Sequence, residues 1–369
     1  MPMRRLIPPF RADHVGSLLR PTELKDARAL RERGEINAQE LREVEDRVIL
    51  DAIHKQAAIG LQSSTDGEFR RAMWHFDFLE KLTGVESFAS DHGIAFQGGI
   101  ETKAKGLRVT GKVAYAPHPM VEHFRFLSQH TKATPKMTIP SPSVLHFRGG
   151  RNAVSSSVYP DMAEFYRDLA SAYRDAVAAF AEAGCQYLQL DETNLAYLCD
   201  PIQRESLKDR GDDPSALPQI YADMINTAVS GRPADMVITM HLCRGNFRSS
   251  WIAQGGYEPI AEILFNQIGV DGYFMEYDTD RAGGFEPLRF VPKGKHVVLG
   301  LITTKSGQLE SKDDIKRRID QASRYLDLDQ LCLSPQCGFA STEEGNLLTE
   351  EAQWAKLQRI VDIAREVWG

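Results

Sequence analysis

Four side chains able to hold a soft divalent cation stand at the ends of apolar runs that lie far apart in the chain. The run MVITMHLCRGN ends on His241 and Cys243, two positions apart, so that in an extended strand both point to one face. GYFMEYD carries Glu276, 33 positions after Cys243, and LCLSPQCGF delivers Cys337 another 61 positions on. One imidazole, two thiols and a carboxylate make a tetrahedral donor set for zinc, which accepts nitrogen, sulfur and oxygen without a d-electron preference. Each residue alone has a plainer reading, since a buried cysteine is commonly a small hydrophobe and a strand-end histidine a hydrogen-bonded polar group. The combination points to a metal, because Glu276 between Phe274, Met275 and Tyr277 is costly to bury without a cation or a donor. Cys185, Cys199 and Cys332 have no such company and read as packing residues.

Other run ends offer groups to a substrate. DHVGSLLRP brings Val15, Gly16 and Ser17, where the glycine lets backbone approach a ligand and the serine offers a hydroxyl. TDGEFRR brings Asp66 and Glu68, and LQLDETN brings Asp191 and Glu192. Carboxylates near a cation site suit an ammonium group, although paired acids also serve as salt-bridge partners of arginines such as Arg70, Arg71 or Arg244. LGLITTKSGQLES directs Lys305 to the same side, where it can orient an anion or donate a proton.

These residues meet only if the runs that carry them share one rim. Eight short β-rich runs, at 12–17, 61–66, 136–145, 186–191, 236–243, 272–277, 296–303 and 330–335, are separated by helical patterns, among them 38–59, 160–183, 217–230, 259–267, 311–325 and 349–368. Strand followed by helix predicts a parallel sheet flanked by helices, and eight such units suffice for a (β/α)8 TIM barrel, whose reactive side chains sit at the carboxyl ends of the strands. A doubly wound open sheet fits the same alternation. Residues 85–113, with Gly98-Gly99 and the alternating LRVTGKVAY, predict an inserted β-hairpin beside the barrel mouth. Residues 204–213 read as a solvated loop.

The 369 residues hold no repeat or long linker, so 1–369 reads as one domain. With 42% hydrophobic and 26% charged residues the composition is that of a globular protein. A net charge of −7 supplies no field for nucleic acid or anionic lipid. The start, MPMRRLIPPFRADHVG, lacks the apolar stretch of a secretory signal, and no run suits a membrane span. Five cysteines without a C-x-x-C pair fit a reducing cytoplasm. The oligomeric state has no signature here.

Taken together, HLCRGN, FMEYD, LSPQCGF, HVGSLLRP and LQLDETN resemble the catalytic barrel of cobalamin-independent methionine synthases, most of all the short single-barrel bacterial relatives, over essentially the whole chain. The resemblance implies zinc on His241, Cys243, Glu276 and Cys337, homocysteine against Val15, Gly16, Ser17, Glu68 and Asp191, and 5-methyltetrahydrofolate or a related methyl donor. Zinc lowers the pKa of a thiol it binds, which presents a nucleophile at neutral pH. The donor half departs from the family pattern. Lys305 stands where the family has a proton-donating histidine, Phe147 where it has a tryptophan that stacks on the pterin, and Tyr197 where it has a folate-contacting glutamate. Arg108 of the hairpin and Phe147 are then the candidates to hold a flat anionic donor by charge and stacking. Two alternatives stay open: alkylation of another thiol, similar to epoxyalkane:coenzyme M transferase, and a non-catalytic zinc- or methionine-binding protein.

Overall fold

The strands that carry the candidate residues are buried along their length except at half-buried Val237, as parallel strands are when helices cover one face and packed side chains fill the other. The computed structural model describes residues 5–369; the first four residues of the N-terminal stretch read above lie outside the described residues. In chain order the strands are β1 (Ser63–Ser64), β2 (Thr83–Ala89), β3 (Ala95–Phe96), β4 (Ile100–Glu101), β5 (Lys105–Ala114), β6 (Thr134–Pro135), β7 (Met137–Pro140), β8 (Tyr187–Glu192), β9 (Val237–Leu242), β10 (Gly272–Glu276), β11 (His296–Ile302) and β12 (Leu331–Pro335).

β7 to β12 form one six-stranded sheet in sequential order, and every neighbouring pair is parallel. Helices connect the strands. Met162–Glu182 buries Phe165, Leu169, Tyr173, Ala176, Val177 and Phe180, a stripe at three- and four-residue spacing. Ala38–Ile59 begins in a capping box, with the Asn37 side chain accepting from the Glu40 N–H at 3.0 Å and the Glu40 carboxylate accepting from the Asn37 N–H at 2.7 Å.

The first two expected strands differ from the continuous runs that a fully laddered eight-stranded ring requires. Run 61–66 contributes only β1, which pairs in parallel with β6, and run 12–17 contributes a single parallel bridge, Ala12 to Leu333 of β12. Among the described residues no ladder joins these two segments; the Thr65 hydroxyl donates to the Gly16 carbonyl at 2.7 Å, and just beyond the two runs the Leu18 N–H donates to the Gly67 carbonyl at 3.0 Å. The reason is local chemistry. The Asp13 carboxylate accepts from the Phe10 and His14 N–H groups, from the Ser63 hydroxyl and from the Tyr187 hydroxyl, so side-chain bonds take the place of ladder bonds. Run 136–145 is likewise shorter than expected: β7 stops at Pro140, and Ser143–Phe147 is a short helix after Pro142, because neither proline has an N–H to give a ladder.

The insertion is a hairpin within a hairpin. β2 pairs antiparallel with β5, and between them β3 pairs with β4 across the three-residue loop Gln97, Gly98 and Gly99, with both glycines at positive φ (83° and 72°) where a side chain would be strained. Its tip docks on the loop after β9. The Gln97 N–H donates to the Trp251 carbonyl at 2.8 Å, and the Phe96 and Phe247 rings lie 5.3 Å apart. Residues 204–213, expected as a solvated loop, instead include the end of helix Pro201–Asp209, after which Arg210 donates to the Phe147 carbonyl at 2.8 Å. No helix among the described residues is long and apolar enough to cross a membrane.

Helix Pro119–His130 is capped by a histidine. His118 Nδ1 accepts from the Met120 N–H at 3.1 Å while the ring stacks on Phe78, and burial pushes its pKa down to about 4. A cap that must stay unprotonated contributes stability that is complete above the unfolded histidine value near 6.5 and is lost as pH falls toward 4. His118→Asn keeps the acceptor and removes the titration. Its unfolding free energy in urea is expected to drop by roughly 2 kcal/mol less than wild type between pH 7.5 and pH 5; equal drops would show that the cap does not titrate.

Candidate metal centre and substrate cleft

Register brings the four candidate ligands together. His241 of β9 lies opposite Phe274 of β10, and the same register continued by two residues sets Cys243 level with Glu276. The Cys243 N–H, bonded to the Glu192 carbonyl at 3.0 Å, extends β9 along β8. Cys337 arrives two residues past β12, where the chain crosses the end of β11 at a register shift between Gly300 and Ile302. A Cβ at Gly300 would lie 2.7 Å from Gln336 Cα and 2.8 Å from the Met275 carbonyl oxygen, so only glycine permits that crossing.

The ligand atoms of His241, Cys243, Glu276 and Cys337 all lie within 4.8 Å of one another, and all four residues are buried. Cys337 Sγ is 3.4 Å from both His241 Nε2 and Cys243 Sγ. His241 Nδ1 faces the Phe274 carbonyl at 3.3 Å; a carbonyl only accepts, so the proton belongs on Nδ1 and the Nε2 lone pair faces the cluster. Glu276 is held at both oxygens, one accepting from the Arg244 N–H at 2.9 Å and the other from Arg281 at 3.1 Å.

These groups shift one another's titration. The Cys243 thiol is pushed well above its usual value by its contact with Cys337, by burial and by the Glu276 carboxylate. Burial acts to raise Glu276, but Arg281, Lys305 and His241 outweigh it and hold the carboxyl below its usual value. Burial acts to lower His241, and Cys243, Asp191 and Glu276 together raise it. Two thiols packed against each other beside an ionised carboxylate are a donor set that a divalent cation satisfies, and the residues present fit one.

Above the cluster is a narrow cleft of about 40 Å³, lined among others by Val15, Ser17, Glu68, Asp191, Cys243 and Cys337. Asp191 lies opposite His241 in the β8–β9 ladder, and burial, followed by the charge of Glu68, raises its carboxyl to about 6. Glu68 sits at a positive φ of 60°, a strained setting for a residue with a side chain. It is pinned there by Arg20 donating to its carbonyl at 2.9 Å, by the Thr138 hydroxyl at 2.9 Å and by Arg71 at 3.3 Å. Gly16, at φ 145°, lies between the lining residues Val15 and Ser17 and does not itself line the cleft; a Cβ there would come within 2.9 Å of Glu68 Oε1 and of Thr138 Cγ2.

Three of the expected donor-side residues lie elsewhere. Lys305 is half-buried behind the cleft wall, donating at 3.1 Å to Asn246 Oδ1, and Asn246 lines the cleft. Arg108 is exposed on β5, paired with Glu86 at 3.4 Å, and lines a second cavity beside the cleft. Phe147 faces neither cavity; it packs edge-on to Tyr197, 5.7 Å between ring centroids, and Tyr197 lines the cleft. Sequence reasoning missed Asn246, Arg148 and His75. Asn246 was in view as the last residue of HLCRGN, three positions past Cys243, whereas His75 lies in a segment with no motif.

Comparison with known proteins agrees with this geometry. The family described as the catalytic domain of cobalamin-independent synthase matches residues 10–366. An uncharacterized Bacillus subtilis protein, YxjH, is 53% identical over 362 residues, 98% of this chain and 95% of its own. A methionine synthase of Pyrococcus abyssi is 23% identical over 360 residues, 96% of this chain and 91% of that one. A Listeria monocytogenes structure provisionally described as a vitamin-B12-independent methionine synthase superposes with a TM-score of 0.79 at 42% identity, covering 99% of this chain and all of that one. A B12-independent methionine synthase of Shewanella sp. W3-18-1, solved with selenomethionine, shares the fold at a TM-score of 0.71 and 18% identity over 97% of both chains. The matched stretch contains all four clustered residues, and the protein belongs to the cobalamin-independent methionine synthase family through its catalytic domain.

Proposed function

We propose that this protein is a cytoplasmic, zinc-dependent methyltransferase that converts homocysteine to methionine with 5-methyltetrahydrofolate or a related carrier as methyl donor. The observation that carries the reading is the cluster of His241, Cys243, Glu276 and Cys337 within 4.8 Å, on the floor of a cleft walled by two buried carboxylates. In this reading residues 1–369 are one domain, and the six-stranded sheet, the β1–β6 ladder and the Ala12–Leu333 bridge belong to one (β/α)8 barrel.

The four clustered residues would hold zinc, whose Lewis acidity keeps an incoming thiol ionised at neutral pH. Glu68 and Asp191 hold the amino acid's ammonium group, and the stretch Val15–Gly16–Ser17 lines its flank. As the new sulfur–carbon bond forms, the carbon–nitrogen bond of the donor breaks and the nitrogen takes a proton. Lys305, one hydrogen bond behind Asn246, supplies or relays that proton. Phe147 acts through Tyr197, which it backs, and Arg108 attracts the donor from the neighbouring cavity. The sulfonated thiol of the coenzyme M alternative suits the cleft less well, because Glu68 and Asp191 would repel it.

The test is to incubate the purified protein with homocysteine and a panel of methyl donors and to assay methionine; no thioether with any donor removes homocysteine from consideration and favours a binding protein. Lys305→Ala is expected to lower kcat by about 10²-fold while leaving zinc content unchanged. A variant with full turnover would take Lys305 out of the proton path.

A further inference from the structure

Run 12–17 is fastened to the rest of the molecule largely by side chains. Three consecutive carbonyls accept from them: His14 from Lys136 at 2.6 Å, Val15 from Gln189 at 2.8 Å and Gly16 from the Thr65 hydroxyl at 2.7 Å. Lys136 and Thr65 adjoin β7 and β1, whereas Gln189 belongs to β8, whose ladders run to β7 and β9. The bond from Gln189 to Val15 therefore joins two segments that backbone pairing leaves independent of each other.

Gln189 stands two residues before Asp191, so both side chains leave β8 on the same face. Its side chain is fully buried, and Nε2 donates twice, to the Val15 carbonyl and to Asp191 Oδ1, each at 2.8 Å. A carbonyl and an ionised carboxylate only accept, so the amide NH2 must face them; the reversed amide would set its oxygen against two others. The remaining atom, Oε1, is buried without a hydrogen-bond partner, a cost that an apolar side chain of the same volume would not carry. What the amide contributes is a fixed link between Val15 and Asp191, both of which line the metal cleft. Engaging Oδ1 also stops the carboxylate from turning, and so fixes how it presents Oδ2.

We propose that Gln189 is a positioning residue for amino-acid recognition: it locks the Asp191 carboxylate and the Val15 backbone in one arrangement, so that the cleft prefers sulfur compounds that carry an ammonium group. The inference rests on the reading of Glu68 and Asp191 as the ammonium site and adds the residue that sets its geometry.

Isothermal titration of the zinc-loaded protein compares L-methionine with 4-(methylthio)butanoate, the same molecule without the ammonium group. The ratio of the two affinities is the readout, because a general loss of structure weakens both compounds alike. Wild type is expected to favour L-methionine. Gln189→Met, of similar volume but without a donor, is expected to lower that ratio about 10-fold, the scale of a lost hydrogen bond to a charged group, with zinc per chain unchanged. Gln189→Asn, one carbon too short to reach both partners, is expected to lower it in part. Tyr187→Phe is the comparison: Tyr187 lies two residues before Gln189 and donates to Asp13 at 2.8 Å, bracing the same run without touching Asp191, and its loss is expected to leave the ratio as in wild type. An unchanged ratio in both Gln189 variants overturns the proposal and leaves the ammonium site standing. So does an equal fall in Tyr187→Phe, which would make Gln189 one brace among several. A wild type that binds the two compounds equally, or binds neither, removes the ammonium site itself and the proposal with it.

Discussion

Replacing Cys337 by serine is expected to empty the metal centre: zinc per chain falls from near one to below about 0.1, and thiol methylation falls by at least about 10³-fold. Cys337 Sγ stands 3.4 Å from two other cluster atoms, so no neighbouring side chain can take its place without moving the β12 crossing. Serine preserves the size of the group and replaces a soft thiolate donor by a weakly acidic hydroxyl. The fold is expected to survive, because the cluster hangs on strand ends of a sheet whose backbone bonds do not depend on it. Metal analysis after dialysis, read beside circular dichroism, checks both halves. X-ray absorption on the wild type should count two sulfur neighbours without substrate and three with a thiol bound. Full zinc occupancy in Cys337→Ser would end the assignment of this residue as a ligand.

The second large effect concerns the ammonium group of the proposed amino-acid substrate. Asp191→Asn is expected to lower kcat/KM for homocysteine by about 10²–10³-fold, the consequence of losing one partner of a desolvated ion pair worth roughly 3–4 kcal/mol. A thiol with a sulfonate in place of the amino acid group should lose nothing, and its binding should improve as a repelling charge disappears. Glu68→Gln is expected to act in the same direction. Asp191→Asn should not destabilise the unliganded protein. Burial and the Glu68 charge already raise the Asp191 carboxyl to about 6, so its ionised form opposes folding near neutrality and the amide removes that opposition. Steady-state kinetics with both thiols, together with thermal melts, separates loss of recognition from loss of structure. Equal losses on both thiols would refute the ammonium role.

His75 and Asp191 illustrate one principle from opposite sides of the cleft. Each is a buried polar group whose surroundings penalise it in the free protein: one has no hydrogen-bond partner and the other has a like charge beside it. Folding tolerates such groups where a ligand later satisfies them. The strained φ of Glu68, fixed by Arg20, Arg71 and Thr138, belongs to the same pattern.

The residue types at the strand ends pointed to the cluster of His241, Cys243, Glu276 and Cys337 and to the two acids beside it without any coordinates. Side chains alternate along a strand and parallel neighbours keep register, so His241, Cys243 and Glu276 were bound to share a rim once their runs were strands of one sheet. Tertiary structure alone decided what loops and insertions contribute. Run 12–17 could not show that Asp13 would satisfy four donors and leave only one bridge to β12. Phe147 turned toward Tyr197 rather than the cleft because the chain after β7 coils into a helix after Pro142. His75 acquired its place only when the hairpin folded over the cleft, since contacts between segments distant in sequence carry no local period by which a reader of the sequence could find them.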